Sequence, residues 1–237
     1  MIDTHCHLLY GVDDGAKSFE ISRMMLEIAK KQGIDRIILT PHYRRGMFPY
    51  DHKALEESFE RVTEEAELMG IELYTGCEYH VDGEMVDNLL NGRQMTLAGG
   101  YYVLCEYKEA VRSEYMRNTM EDLLAAGFIP VIAHAERYEC IQNDRELLRD
   151  FRKMGAMVQL NADSILGIDG HKYRTICKKI LKNVLADVVA SDAHGVKRRS
   201  CHMLECRALI EKKYGEETAK RLFEINPMKI INSSEGT

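Results

Sequence analysis

The sequence predicts an α/β fold built on a parallel sheet. Three observations carry that prediction. Strand-like and helix-like stretches alternate seven times along the 237 residues. Glycine closes the helical stretches, with Gly33, Gly70, Gly127 and Gly155 each following one. Histidines and carboxylates gather just after the apolar runs. The right-handed crossover rule leaves a closed barrel or a doubly wound sheet. No Gly-x-Gly-x-x-Gly follows a strand, which weakens a dinucleotide-binding sheet, and the strand-end residues favour the barrel.

Ile2 opens a short apolar run that reads as a strand and ends in His5-Cys6-His7. Side chains alternate along extended chain, so His5 and His7 face the same way and can present two imidazoles to one ion. The turn from Tyr10 to Gly15 carries Asp13 and Asp14 back toward the same end. Residues 18–31 read as a helix, with Ile21, Met24, Met25, Ile28 and Ala29 at helical spacing. Its methionines are most simply core packing. Residues 36–40 read as a strand stopped by Pro41. Residues 51–69 form a long charged helix with Leu55, Phe59, Val62 and Ala66 on one stripe. Strands are expected at 71–75, 101–105, 128–133, 156–160 and 186–190. Helices are expected at 83–90, 113–126, 144–154, 172–181, 199–213 and 216–225, the last followed by Pro227.

The hydrophobic content of 45% suffices for a sizeable core. No run approaches the ~20 apolar residues of a membrane span, so no membrane insertion is expected. No basic stretch followed by an apolar one marks a secretory signal. The net charge of −6, with both signs mixed throughout, argues against nucleic acid as a partner. The seven cysteines are odd in number and form no Cys-x-x-Cys pair, which fits a reducing cytoplasm. No repeat, linker or low-complexity segment divides residues 1–237, which are expected to form one domain.

The strand ends carry the chemistry. His5, His7 and Asp14 follow the first strand, and His42 follows the second. Glu78, Glu106 and His134 follow the next three. Asn161 follows the sixth, and Asp192 and His194 the seventh. In α/β barrels the active site is built from the carboxyl ends of different strands. Five histidines and four carboxylates make a mixed nitrogen and oxygen set with no thiolate, suited to Mn²⁺, Fe²⁺, Zn²⁺ or Co²⁺. Nine ligands exceed the need of one ion, so two or three are expected. A pair of ions roughly 3.5–4 Å apart can share a hydroxide and clamp a phosphoryl group.

These residues resemble the polymerase-and-histidinol-phosphatase (PHP) superfamily of metal-dependent phosphoesterases. The carriers are His5-x-His7, His42 after Thr40-Pro41, Glu78, Ala133-His134-Ala135-Glu136-Arg137-Tyr138 and Ser191-Asp192-Ala193-His194. Within it the chain is similar to the manganese-dependent bacterial tyrosine phosphatases of capsule and exopolysaccharide loci. The pointers are the run from His5 to Gly15, Thr40-Pro41-His42-Tyr43, Gly76-Cys77-Glu78 and Asn161-Ala162-Asp163-Ser164. The resemblance runs from Met1 to about Pro227 and implies a distorted seven-stranded (β/α) barrel with a trinuclear site. One ion would sit on His5, His7, Glu78 and Asp192. A second would share Glu78 and add Glu106 and His134. A third would take Asp14, His42 and His194. Many superfamily members have a histidine where Glu106 stands, and the carboxylate matches the tyrosine-phosphatase branch. Arg137 and Arg199 match arginines that hold phosphate, a task their planar fork suits.

The implied activity is hydrolysis of phosphotyrosine by a hydroxide bridging the ions, with Mn²⁺ the expected metal. The implied partner is a phosphotyrosine protein, the tail of a bacterial exopolysaccharide-assembly kinase, and the implied role is control of capsule synthesis. A histidinol-phosphate-type phosphatase or a phosphodiesterase would share every ligand. A non-catalytic binding barrel would not need so many ligands at an open rim. Cys201 and Arg207 have the Cys-x5-Arg spacing of thiolate phosphatases but lack the glycine-rich turn that cradles phosphate, so a thiol mechanism is set aside. Asp13 is expected to brace the Gly11–Gly15 turn. His52, His80, His171 and His202 fall outside the strand-end pattern. Tyr43, Arg44, Arg45, Met47, Phe48 and Tyr50 form an aromatic and basic loop, either a lid on an aryl phosphate or a homo-oligomer contact.

Overall fold

Strand and helix alternate as expected, and a computed structural model describing residues 1–48 and 51–234 shows how they pair. β1 (Ile2–Cys6), β2 (Arg36–Leu39) and β4 (Glu72–Thr75) pair in parallel in that order. A second run pairs β3 (His42–Tyr43), β5 (Glu78–His80), β6 (Tyr102–Glu106), β7 (Ile129–Ile132), β8 (Met157–Asn161) and β9 (Val188–Ala190), again all parallel. β2 leads into β3 and β4 into β5, so the nine strands trace seven tracks in sequence order. The seventh meets the first: Cys6 bridges Ala193, and the Asp192 N–H donates to the His5 carbonyl at 2.9 Å. The curled sheet is the distorted barrel the sequence implies.

The two interruptions have local causes. Pro41 has no N–H for the ladder. Gly76 lies so close to the neighbouring strand that a Cβ there would stand 2.9 Å from Ile38 Cγ2. Past each break the track resumes with a residue of the rim, His42 opening β3 and Glu78 opening β5.

Helices α1 (Phe19–Lys31), α2 (His52–Leu68), α4 (Ser113–Ala125), α6 (Glu146–Met154) and α8 (His171–Lys182) cover the outside where the apolar stripes predicted them. α3 (Met85–Leu90) is short, as expected. Two further short helices, α5 (Glu139–Asn143) and α7 (Ala162–Leu166), occupy stretches too brief to show a helical period. α9 (Met203–Tyr214) begins four residues later than the sequence suggested, because Arg199 is held in the left-handed region at φ +52°. The last helix does not stop before Pro227. α10 (Glu216–Lys220) passes through a π-turn at Arg221–Ile225 into α11 (Asn226–Ile231), and Pro227 sits in the first turn of α11, where its missing N–H is tolerated.

The barrel interior is apolar at its base and polar at its mouth. Ile2, Ile38, Leu104, Val131 and Val188 fill the base, and Ile230 and Ile231 of α11 plug it. Each such side chain fully buried contributes about 1.5–3 kcal/mol. With the base filled, the polar end of the interior is the strand carboxyl ends. Among the described residues, no helix is long and apolar enough to cross a membrane.

Candidate metal centre

All nine expected ligands lie on the barrel mouth or just inside it. His5 and His7, at the end of β1, converge with Nε2 atoms 3.1 Å apart. Glu78 and Asp192 complete that group. Glu78 Oε2 lies 3.1 Å from His5 Nε2 and 3.2 Å from His7 Nε2, and Asp192 Oδ1 lies 3.4 Å from His5 Nε2. A second group joins His7, Asp14, His42 and His194, with Asp14 Oδ1 at 3.4 Å from Nε2 of both His42 and His194.

The third group holds His42, Glu78 and Glu106, with His134 beside it. It draws His42 to Glu78 and Glu106 through the Nδ1 face of the ring, at 3.1 and 4.0 Å. His134 approaches the other oxygens, at 2.9 Å from Glu78 Oε1 and 4.0 Å from Glu106 Oε1. His42 therefore faces two groups, one through each ring nitrogen, and Glu78 touches all of its neighbours from a fully buried position.

Polar contacts around the ring hold these side chains in place. Asp13 does more than brace its turn. Its Oδ2 accepts from His7 Nδ1 at 2.8 Å and from the His42 backbone N–H at 3.0 Å, while Oδ1 accepts from the Gly15 N–H at 2.8 Å. His194 donates from Nδ1 to the Asp192 carbonyl at 2.9 Å. Gly15 allows the turn to fold against β1, since a Cβ there would lie 2.1 Å from the His7 carbonyl oxygen. His134, Asp192 and Arg199 all have positive φ without being glycine, a backbone cost of about 1–3 kcal/mol each that clusters at functional sites.

The electrostatics are those of a cation site. Burial opposes a charge on His7, but Asp13 and Glu78 raise its pKa to about 10. Burial favours the neutral form of Glu78, yet His5 and His42 hold it well below the usual carboxylate range. Burial and the neighbouring His7 push His194 down to about 4. Three atoms within the ring, His42 Nδ1, Glu78 Oε2 and His194 Nε2, are buried with no hydrogen-bond partner. A carboxylate oxygen flanked by three imidazole nitrogens, none in hydrogen-bonding geometry, fits a site for divalent cations. Nitrogen and oxygen donors without sulfur match the borderline metals expected from the sequence.

Arg137 and Arg199 lie at the same mouth. Arg199 Nη2 donates to both oxygens of Asp192 at 2.9 Å. Arg137 Nη2 lies 3.6 Å from Asp169 and 3.7 Å from Asp192, and its Nε is buried without a partner. Phe48 stacks on the His42 ring, centroids 5.4 Å apart and planes within 5°. Tyr50, the last residue of that expected loop, lies outside the described residues.

Sequence reasoning left several residues near the centre without a ligand role. His80 stands beside the centre, with Nδ1 at 2.9 Å from Glu106 Oε2, because β5 continues past Glu78. Gln159 and Asn161 of β8 reach His5 and Asp192. No pattern of spacing marks an amide as part of a metal site. His202 pairs with Asp163 at 2.8 Å. Cys201 is buried and its thiol is pushed well up by burial, while Arg207 pairs with Glu211 and Glu224, so this pair forms no phosphate cradle.

A parallel (β/α) barrel with convergent nitrogen and oxygen donors at its mouth defines a class, the metal-dependent phosphoesterases built on a PHP-type barrel. The chain belongs to the CpsB/CapC family of capsular polysaccharide synthesis, whose model matches residues 1–232. It is 34% identical over 238 residues to the tyrosine-protein phosphatase CpsB of Streptococcus pneumoniae, covering 98% of each chain. It is 34% identical over 226 residues to the tyrosine-protein phosphatase YwqE of Bacillus subtilis, covering 94% of this chain and 89% of that one. It superposes with a TM-score of 0.92 and 31% identity on a solved structure from the work on YwqE and CpsB, unique metal-dependent tyrosine phosphatases, covering 98% of this chain and 95% of that one. An organophosphorus hydrolase from Deinococcus radiodurans superposes with a TM-score of 0.63 at 11% identity, over 97% of this chain and 92% of that one, and shares the fold.

Proposed function

We propose that residues 1–237 form a single PHP phosphoesterase domain that dephosphorylates tyrosine in proteins at this centre. The chain is a metal-dependent tyrosine-protein phosphatase by its family. The observation that carries the chemistry is Glu78 Oε2, buried among His5, His7 and His42 with no hydrogen bond. The ligands are His5, His7, Asp14, His42, Glu78, Glu106, His134, Asp192 and His194, and Mn²⁺ is the metal of choice, in two or three ions.

Divalent ions held by these residues would supply positive charge for the phosphoryl oxygens and would lower the pKa of water. The protein's own groups do the rest. The unpartnered Nε of Arg137 offers a donor to a phosphoryl oxygen. Arg199 can turn part of its fork from Asp192 to the same group. Phe48, already stacked on His42, offers a face to the phenyl ring of the substrate, which supports a lid role for the loop that carries Phe48. A phenolate leaves more readily than an alkoxide, since free tyrosine has a pKa of about 10.

The family name supports a role in capsular polysaccharide synthesis, and the substrate of this reading is the tyrosine-bearing tail of an exopolysaccharide-assembly kinase. The seven free cysteines fit a cytoplasmic setting for that reaction. The test is a Mn²⁺-loaded preparation assayed against a phosphotyrosine peptide, histidinol phosphate and a phosphodiester. The peptide should be turned over fastest and chelation should abolish activity. Preference for histidinol phosphate or the diester would refute the substrate assignment, and chelator-resistant turnover would refute the metal mechanism.

A further inference from the structure

β8 is the strand whose end supplies none of the nine candidate ligands. It carries Gln159 and Asn161 instead, both fully buried. Their side chains form one line. His5 Nδ1 lies 3.1 Å from Gln159 Oε1, Gln159 Nε2 donates to Asn161 Oδ1 at 2.7 Å, and Asn161 Nδ2 donates to Asp192 Oδ2 at 2.7 Å. Amides can be turned end for end, exchanging donor and acceptor. Here both ends of the line forbid it. The backbone N–H of His134 also meets Gln159 Oε1, at 3.0 Å, and a backbone N–H only donates. Asp192 accepts from Arg199 Nη2 at both of its oxygens, at 2.9 Å, and so presents the line with an acceptor. The line therefore has one polarity, and the imidazole at its head must carry its proton on Nδ1.

We infer that Gln159 and Asn161 are positioning residues of the metal centre, fixing His5 as the Nδ1–H tautomer and tying it to Asp192. The lone pair of His5 then lies on Nε2, the atom that faces His7 Nε2, Glu78 Oε2 and Asp192 Oδ1. Two ligands of one ion, from opposite ends of the chain, are thus preset by a strand that supplies no ligand. Asp13 acts in the same way on His7 through a separate contact. The inference rests on the metal centre proposed above and is independent of the phosphorylated substrate. Removing the partner of a ligand histidine lowers metal affinity about 10- to 100-fold.

The test compares Gln159→Leu, Gln159→Glu and Asn161→Leu with wild type in the full chain. Mn²⁺ affinity and stoichiometry are read by equilibrium dialysis, and histidine ring ¹⁵N signals are recorded in the presence of diamagnetic Zn²⁺. Gln159→Leu should weaken one Mn²⁺ site by about 10- to 100-fold. Gln159→Glu retains an acceptor for both N–H groups and should retain more of the affinity. KM for a small aryl phosphate at saturating Mn²⁺ should not change, since neither side chain reaches the open face. In wild type the His5 proton should sit on Nδ1. Wild-type Mn²⁺ affinity in Gln159→Leu, or a wild-type His5 that binds Zn²⁺ through Nδ1, would overturn the inference. If Gln159→Leu fails to fold, Gln159→Glu and the wild-type ring signal decide. A wild-type protein that takes up neither Mn²⁺ nor Zn²⁺ would instead sink the metal reading itself.

Discussion

Replacing Glu78 with glutamine probes the centre at the atom on which the others converge. The change keeps shape and volume and removes one charge. Oε2 of Glu78 has three imidazole nitrogens at 3.1–3.2 Å, and Oε1 has a fourth at 2.9 Å. The side chain has no water contact. Removing one partner of a buried ionic contact costs about 3–5 kcal/mol, because the charge left behind is uncompensated. At about 1.4 kcal/mol per tenfold, Mn²⁺ affinity should fall by roughly two to three and a half decades. The lower bound is readable as stability. Mn²⁺ held about 1,000-fold above the wild-type Kd adds about 4.1 kcal/mol, whereas a variant binding about 100-fold more weakly gains only about 1.4 kcal/mol. The difference of about 2.7 kcal/mol corresponds to roughly 5–11 °C in Tm for a chain of this size. Thermal unfolding of both proteins with and without Mn²⁺ gives the shift, and metal content after dialysis gives the stoichiometry. A Glu78→Gln protein with the wild-type Mn²⁺-induced rise in Tm and the wild-type metal content would refute the reasoning.

Four further outcomes are expected. Arg137→Lys should lower kcat/KM for an aryl phosphate by about 10- to 150-fold, the worth of a hydrogen bond to a charged group, with metal content unchanged. Equal kcat/KM in the two proteins would remove Arg137 from the phosphate site. Phe48→Ala should raise KM for a phosphotyrosine peptide about 2- to 12-fold by losing an aromatic stack, with no change for a small alkyl phosphate. A larger change in oligomeric state than in KM would favour the contact role of the loop. Cys201→Ser should keep full Mn²⁺-dependent turnover, since the thiol is buried and disfavours the thiolate; its inactivation in a folded protein would revive a thiol mechanism. Gly15→Ala should destabilise the metal-free protein by more than about 1 kcal/mol, through the clash with the His7 carbonyl, as measured by urea unfolding.

The legible part of this protein is what chemistry restricts. Few residue types bind a cation, and parallel barrels expose strand carboxyl ends, so His42, Glu78 or His194 could be picked out from position alone. The strand–helix rhythm was legible because the outer helices carry one apolar stripe. What stayed hidden was imposed by tertiary contact. The left-handed backbone at His134, Asp192 and Arg199 opposes local preference and is held by the surrounding fold. The break at Gly76 depends on how closely Ile38 approaches. The grouping of His42 with Glu106 depends on which face its ring presents, and linear spacing does not carry ring orientation. Pro227 misleads because a π-turn upstream makes room for it. His80 and Gln159 look like ordinary polar residues of strands until their partners, 26 and 154 residues away, come into place.

The closure of the barrel and the assembly of the first ligand group are one structural event. β1 and the segment after β9 are joined by backbone bonds from Asp192 N–H to the His5 carbonyl and from His7 N–H to the Ala193 carbonyl, both 2.9 Å. Beneath them, buried Asp3 accepts from the Ser191 hydroxyl at 2.5 Å and from its N–H at 3.0 Å. The same bonds that zip the seam set His5 and His7 opposite Asp192. Joining segments 188 residues apart has an entropic cost that grows with the logarithm of the loop, which short local contacts do not incur. On the proposed ligand set, an ion held by both segments would bind only the closed barrel, and its binding free energy would add to closure by linkage. The proposed centre thus predicts that metal binding and the stability of the fold are coupled through the seam, and the strained turns at Asp192 and Arg199 persist because closure holds the segment that contains them.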